Sequence, residues 1–172
     1  MTHYTEELTK LKESLLAMAS HAESAVTRAI RALVERDDAI ARKVEEDDNI
    51  LDRFEIEIDD MAIHLLTKAP LATELRLITV AMKISQNLER VGDEAVTIAR
   101  RALELNTEPQ LKAYVDLPRM ATMSLEMLRE AITAFINRET DRARAVIPRL
   151  INAVMASRSI SSDIVAMRGR ST

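Results

Sequence analysis

The stretch LATELRLITVAMKISQNLERVGDEAVTIARRAL, Leu71 to Leu103, decides the fold. Leu77, Ala81, Ile84, Leu88, Val91, Ala95, Ile98 and Ala102 recur at alternating spacings of four and three, and Leu105 continues the line. That period belongs to an α-helix with one apolar seam, here spanning about Thr73 to Leu105. Inside it sits Gly92, at a cost of about 1 kcal/mol relative to alanine. Beside the glycine, Glu89 and Asp93 stand at i and i+4, where like charges repel by a few tenths of a kcal/mol. Both penalties fall on one turn, so the turn is expected to serve a purpose beyond helix formation.

The same periodicity extends upstream. Between Thr5 and Glu35, the heptad positions are Leu8, Leu11, Leu15, Met18, Ala22, Ala25, Ala29 and Ala32, all apolar. The alanine-rich half allows a neighbouring helix to come close. Asp37 is a plausible N-cap for a second helix, Asp38 to Leu66. Its seam reads Ile40, Val44, Asp47, Leu51, Phe54, Ile58, Met61 and Leu65, with Asp47 the one polar exception. Pro70 marks the break before the third helix.

Downstream, NTEPQ forms a loop at Asn106 to Gln110. A fourth helix, about Pro118 to Asn137, carries Ala121, Leu125, Leu128, Ile132 and Phe135 on one face, widened by Met120, Met127 and Ala131. Thr140 is placed to cap a fifth helix from Asp141, with Pro148 expected to interrupt it. The polar end from Ser157 is expected to be mobile. The predicted fold class is all-α: three antiparallel helices of roughly 30 residues, each near 45 Å long at 1.5 Å per residue, plus an extra C-terminal helix and a short tail.

Composition narrows the function. The 172 residues suffice for a real core, with 47% hydrophobic and 2% aromatic content favouring helix over sheet. The absence of cysteine excludes disulfides, thiolate metal sites and cysteine nucleophiles. A net charge of −4 gives no sign of nucleic-acid binding. No apolar run reaches the roughly 20 residues of a spanning helix, and the N-terminus lacks a signal-peptide pattern. A cytoplasmic protein without direct membrane insertion is expected. With only Gly92 and Gly169 as glycines there is no phosphate-cradling loop. No nucleophile motif is present, so no enzymatic activity is expected. A ferritin-like di-iron centre fails as well, because Met18 and Met61 stand three before His21 and His64.

The charge is uneven. Residues 45–60 hold nine acids and one base, Arg53, whereas the chain from Arg138 onward holds seven arginines and three acids. Asp48, Asp52, Glu55 and Asp59 follow at i, i+4, i+7 and i+11, which makes one stripe on the second helix. Glu89 and Asp93 lie on a flank of the third. If the helices are neighbours, six carboxylates line one groove, a donor set for hard cations. Gly92 would then leave room for a close backbone or a cluster. The bland alternative is a solvated acidic face, or one paired with Arg53, Arg76, Lys83 and Arg90, with Gly92 a packing contact.

Taken together, Glu74-Leu75-Arg76, the spaced apolar run and Leu88-Glu89-Arg90-Val91-Gly92-Asp93 closely resemble the signature of the PhoU family of phosphate-signalling regulators. VEEDDNILDRFEIEIDD resembles that family's second helix. The likeness runs from about Thr5 to Ile147. It implies an all-helical protein built of three-helix repeats, with residues 1–106 forming one repeat and 107–172 a truncated second. It implies metal motifs at Asp48 and Asp52 and at Glu89 and Asp93, with Glu55 and Asp59 extending the stripe. The metal would be multinuclear iron or a divalent ion such as Mn, Mg or Zn. It also implies negative regulation of phosphate uptake and the phosphate-starvation response, as a homodimer, through a phosphate transporter ATPase and a sensor histidine kinase. The alternative is a non-regulatory helical scaffold or metal-binding protein derived from the family.

Overall fold

A computed structural model describes residues 3–68, 70–110 and 113–153. Every regular element among them is an α-helix: α1 (His3–Glu35), α2 (Asp38–Glu46), α3 (Asn49–Leu66), α4 (Ala72–Asn106), α5 (Asp116–Asn137) and α6 (residues 140–153). The expected mobility beyond Ser157 concerns residues outside those described. The chain divides into two compact units, Met1–Ala113 and Tyr114–Thr172.

In the first unit, α1, the α2–α3 pair and α4 form an up-down-up bundle. Two end contacts fix the directions. Glu7, near the start of α1, pairs with Lys68, just past the end of α3. Arg36, just past the end of α1, donates to the carbonyls of Leu105 and Asn106 at the end of α4, at 3.0 and 2.9 Å. Leu11, Leu15, Met18, Ile58, Leu65, Ile78 and Leu88 fill one end of the core. Towards the other end, Ala29, Ala32, Ala41, Val44, Ala95, Val96 and Ala99 pack together. These small side chains permit the close approach expected of the alanine-rich half of α1.

Asp37 caps α2 as its sequence position suggests. Its Oδ1 accepts from the N–H groups of Ala39 and Ile40 at 2.9 and 3.0 Å. At α4, Glu74 accepts from the Leu71 N–H at 3.1 Å, satisfying one backbone donor where Pro70 breaks the helix.

The structure departs from the sequence expectations at three places. The single predicted helix Asp38–Leu66 is two helices, split by a turn at Asp47 and Asp48. The turn falls on Asp47, Asp48 and Asn49, residue types that disfavour a helix interior. Asp47, the polar exception in the seam, is held instead by Arg28 at 2.6 Å and Lys43 at 3.1 Å.

On α4, half of the buried line runs one residue C-terminal to the apolar seam. Ser85, Gly92 and Ala99 are fully buried, whereas Ile84, Val91 and Ile98 are only half-buried shoulders. Small residues every seven positions let the neighbouring helices approach, so size rather than hydropathy sets the centre of the face.

In the second unit, Pro148 does not end its helix, which runs through residue 153. Arg149 ties that helix to α5 through Glu130 at 2.5 Å and Glu126 at 3.6 Å, and Val146 is buried. On α5, Met127, Ile132 and Ala134 are the buried positions.

Candidate metal and docking flank

The turn that opened the problem lies where α3 packs against α4. Gly92 faces Leu51. A β-carbon at Gly92 would overlap the Leu51 Cδ1 and lie 3.5 Å from its Cγ. The glycine therefore accommodates a leucine of α3, which settles its role as a packing contact. Room for a cluster is not what it supplies. The close approach it allows has a second consequence, because Leu51 sits among Asp48, Asp52 and Glu55 while Gly92 sits between Glu89 and Asp93. Packing this one pair brings the two acidic flanks together.

The electrostatics report that proximity. Burial pushes the Asp48 carboxyl up, and the Asp52 and Asp93 carboxylates add to the effect against Arg100. Burial likewise pushes Glu89 up, followed by Asp93, Glu55 and Asp52. Asp48, Asp52, Glu55, Glu89 and Asp93 thus form one mutually repelling group drawn from α3, the turn before it and α4. Asp59 is not among the groups that raise Asp48 or Glu89. It is half-buried, and its Oδ1 is buried without a hydrogen-bond partner among the described residues.

The cations proposed from sequence to neutralise the stripe do not do so. Arg53 donates to the Asn49 backbone and side-chain oxygens at 3.1 and 2.6 Å. Among the described residues, Arg76, Lys83 and Arg90 form no ion pair with the stripe. Ion pairs instead occupy the preceding acids: Arg28 with Asp47, Lys43 with Glu46 and Asp47, and Arg100 with Glu45 at 2.7 Å. Arg100 is the residue that sequence reasoning missed. It stands seven after Asp93 on the same face of α4, a spacing that marks it as a neighbour of the flank.

The donors are all carboxylate oxygens, the chemistry of hard cations. A bound cation would turn their repulsion into attraction. As the side chains stand, no three acidic or histidine groups among the described residues are arranged to hold a metal ion. Binding would require rotation of these exposed and half-exposed carboxylates. The donor set fits a multivalent cation in type.

These features define a class: a helical bundle whose chemical character lies in a carboxylate flank shared by two packed helices. The PhoU domain matches residues 15–102, and the chain belongs to the PhoU family. It is 35% identical over 145 residues to a phosphate-specific transport system accessory protein PhoU homolog of Aquifex aeolicus, covering 84% of this chain and 66% of that protein. It is 30% identical over 141 residues to the corresponding PhoU protein of Escherichia coli, covering 81% of this chain and 58% of that one. The chain thus spans less than two thirds of these curated relatives. The crystal structure of PhoU from Pseudomonas aeruginosa superposes with a TM-score of 0.77 at 30% identity, over 96% of this chain and 84% of that one. The PhoU structure from Streptococcus pneumoniae gives 0.87 at 22% identity, over 96% and 78%, a likeness of fold. Among the described residues, no helix is long and apolar enough to cross a membrane.

Proposed function

We propose that this protein is a negative regulator of phosphate uptake and of the phosphate-starvation response. It acts in the cytoplasm by contact with a phosphate transporter ATPase and a sensor histidine kinase, as a homodimer, and it catalyses no reaction of its own. The observation that carries this reading is family membership together with the name of the relatives, accessory proteins of the phosphate-specific transport system.

A metal ion at the flank belongs to the same proposal. Asp48, Asp52, Glu89 and Asp93 would hold it, with Glu55 in support and Asp59 at the edge. Iron in a multinuclear cluster, or Mn, Mg or Zn, would supply positive charge that neutralises the group. The chain's own part is to hold α3 and α4 close enough, through Leu51 and Gly92, for carboxylates of both helices to share one ion.

Deletion of the gene tests the regulatory reading. Phosphate uptake and starvation-responsive expression should rise in rich phosphate, and the full chain supplied in trans should restore repression. Unchanged uptake and expression after deletion would leave the scaffold alternative. The homodimer is checked separately by light scattering, where a strictly monomeric species at working concentration contradicts it.

A further inference from the structure

A different line of α3 faces away from the core. Ile56 and Ile63, two turns apart on one line, are 63% and 55% exposed. They lie opposite Leu51, Ile58, Ala62 and Leu65, the residues α3 buries. One exposed isoleucine needs no explanation; two β-branched side chains aligned on a crest are a surface that water covers at a cost. On the side towards α1, a cleft of about 310 Å³ opens beside this crest, lined by Glu7, Lys10, Asp60, Met61, His64 and Leu65. Its size and mixed lining suit an apolar anchor side chain with a polar rim.

On α3 itself the exposed, unpaired charge beside the crest is acidic, while Lys10 of α1 lines the adjoining cleft. Asp52, Glu57 and Asp60 are exposed, and none forms an ion pair among the described residues. Arg53, the sole base of the segment, is turned back onto Asn49. Unpaired acids flanking an apolar line repel anionic lipid and nucleic acid. They attract a chain segment with the opposite pattern.

We infer that the outer crest of α3, with the adjoining cleft against α1, docks a basic amphipathic helix of a partner protein. The partner's apolar residues lie on Ile56 and Ile63, one side chain enters the cleft, and its lysines or arginines meet Glu57 and Asp60. This deepens the protein-contact reading above by naming the surface and the chemistry of what it binds.

The test uses the full chain and a fluorescent amphipathic peptide of the length of α3, with a leucine face flanked by lysine and arginine. A second peptide replaces those bases with glutamate. Binding is followed by anisotropy, alongside vesicles containing anionic lipid. The basic peptide is expected to bind, to weaken with salt, and to lose roughly tenfold in affinity with I56S/I63S and again with E57Q/D60N. Circular dichroism confirms that these surface variants keep their helices. Equal binding of the acidic peptide, affinity unmoved by both variant pairs, no binding of the basic peptide, or preferential binding of anionic vesicles would each overturn the assignment. The deletion phenotype does not depend on this measurement. A null peptide result with derepression on deletion removes the docking surface alone, whereas docking without derepression removes the regulatory reading alone.

Discussion

Glu89 and Asp48 carry the energetic signature of the flank. Each carboxyl is raised in the folded protein, so the fold holds its proton to higher pH than the unfolded chain does. Stability then falls as pH rises through a window beginning near the ordinary values, 3.8 for Asp48 and 4.5 for Glu89, and the full penalty is present at neutral pH. E89Q is therefore expected to stabilise the metal-free protein at pH near neutral, by a few tenths of a kcal/mol up to about 1. That gain should shrink as pH drops below the carboxylate range, which urea unfolding at several pH values will show. A destabilised E89Q at neutral pH would contradict the repulsion.

Gly92 gives a second test at the same scale. G92A gains helix propensity of about 1 kcal/mol but forces the buried Leu51 to shift, and overpacking costs about 1–3 kcal/mol. A net loss near 1 kcal/mol is expected. In an L51A background the same substitution should become stabilising, and the double-mutant cycle measures that reversal. A packing contact was one of the readings of Gly92 that the sequence left open, but its partner, forty-one residues upstream on another helix, was not legible.

Among the elements, the junction of α1, α2 and α4 is tied by side-chain hydrogen bonds at the helix ends. Arg36 sits in the left-handed region at φ 57° and donates to the carbonyls of Leu105, Asn106 and Glu108. These are carbonyls at and just past the end of α4, where helical partners run out. Asn106 answers by donating to Asp38 Oδ1 at 2.7 Å. R36M loses the hydrogen bonds and keeps the backbone cost, whereas R36G loses them and relieves it. R36M is thus expected to be less stable than R36G by about 1 kcal/mol, read from urea midpoints. Equal midpoints would mean that the left-handed residue costs nothing here.

Helix existence was readable from the seams, since Leu11, Leu15, Ile58 and Leu88 are large and apolar and their spacing repeats. Two features were not. The α2–α3 break depends on where Asp47 finds its cations, and one of them, Arg28, is supplied by α1. The true centre of the α4 face escaped notice because Ser85 and Gly92 do not look like core residues. They are buried for their small size, a property that matters only once a neighbouring helix is present.

At the scale of the molecule, the account rests on the bundle pressing two acidic flanks together, with Arg100 the cation that opposes their crowding among the described residues. That the six carboxylates fall on two stripes was visible in their spacing, although Asp48 lies in the turn before α3 and not within a helix. That five of them form one electrostatic group, with Asp59 set apart and Arg100 alone opposing, needed the packing of Leu51 on Gly92 to be known. Five crowded carboxylates are costly in a protein that makes no use of them, and a shared cation is the use the family resemblance predicts. The most direct measurement is elemental analysis of the purified full chain after exposure to iron or manganese and removal of unbound metal, compared with E89Q/D93N. The account predicts retained metal in the wild type and loss of it in the double variant, with both proteins equally helical. Equal metal in the two, or none in the wild type, would contradict it.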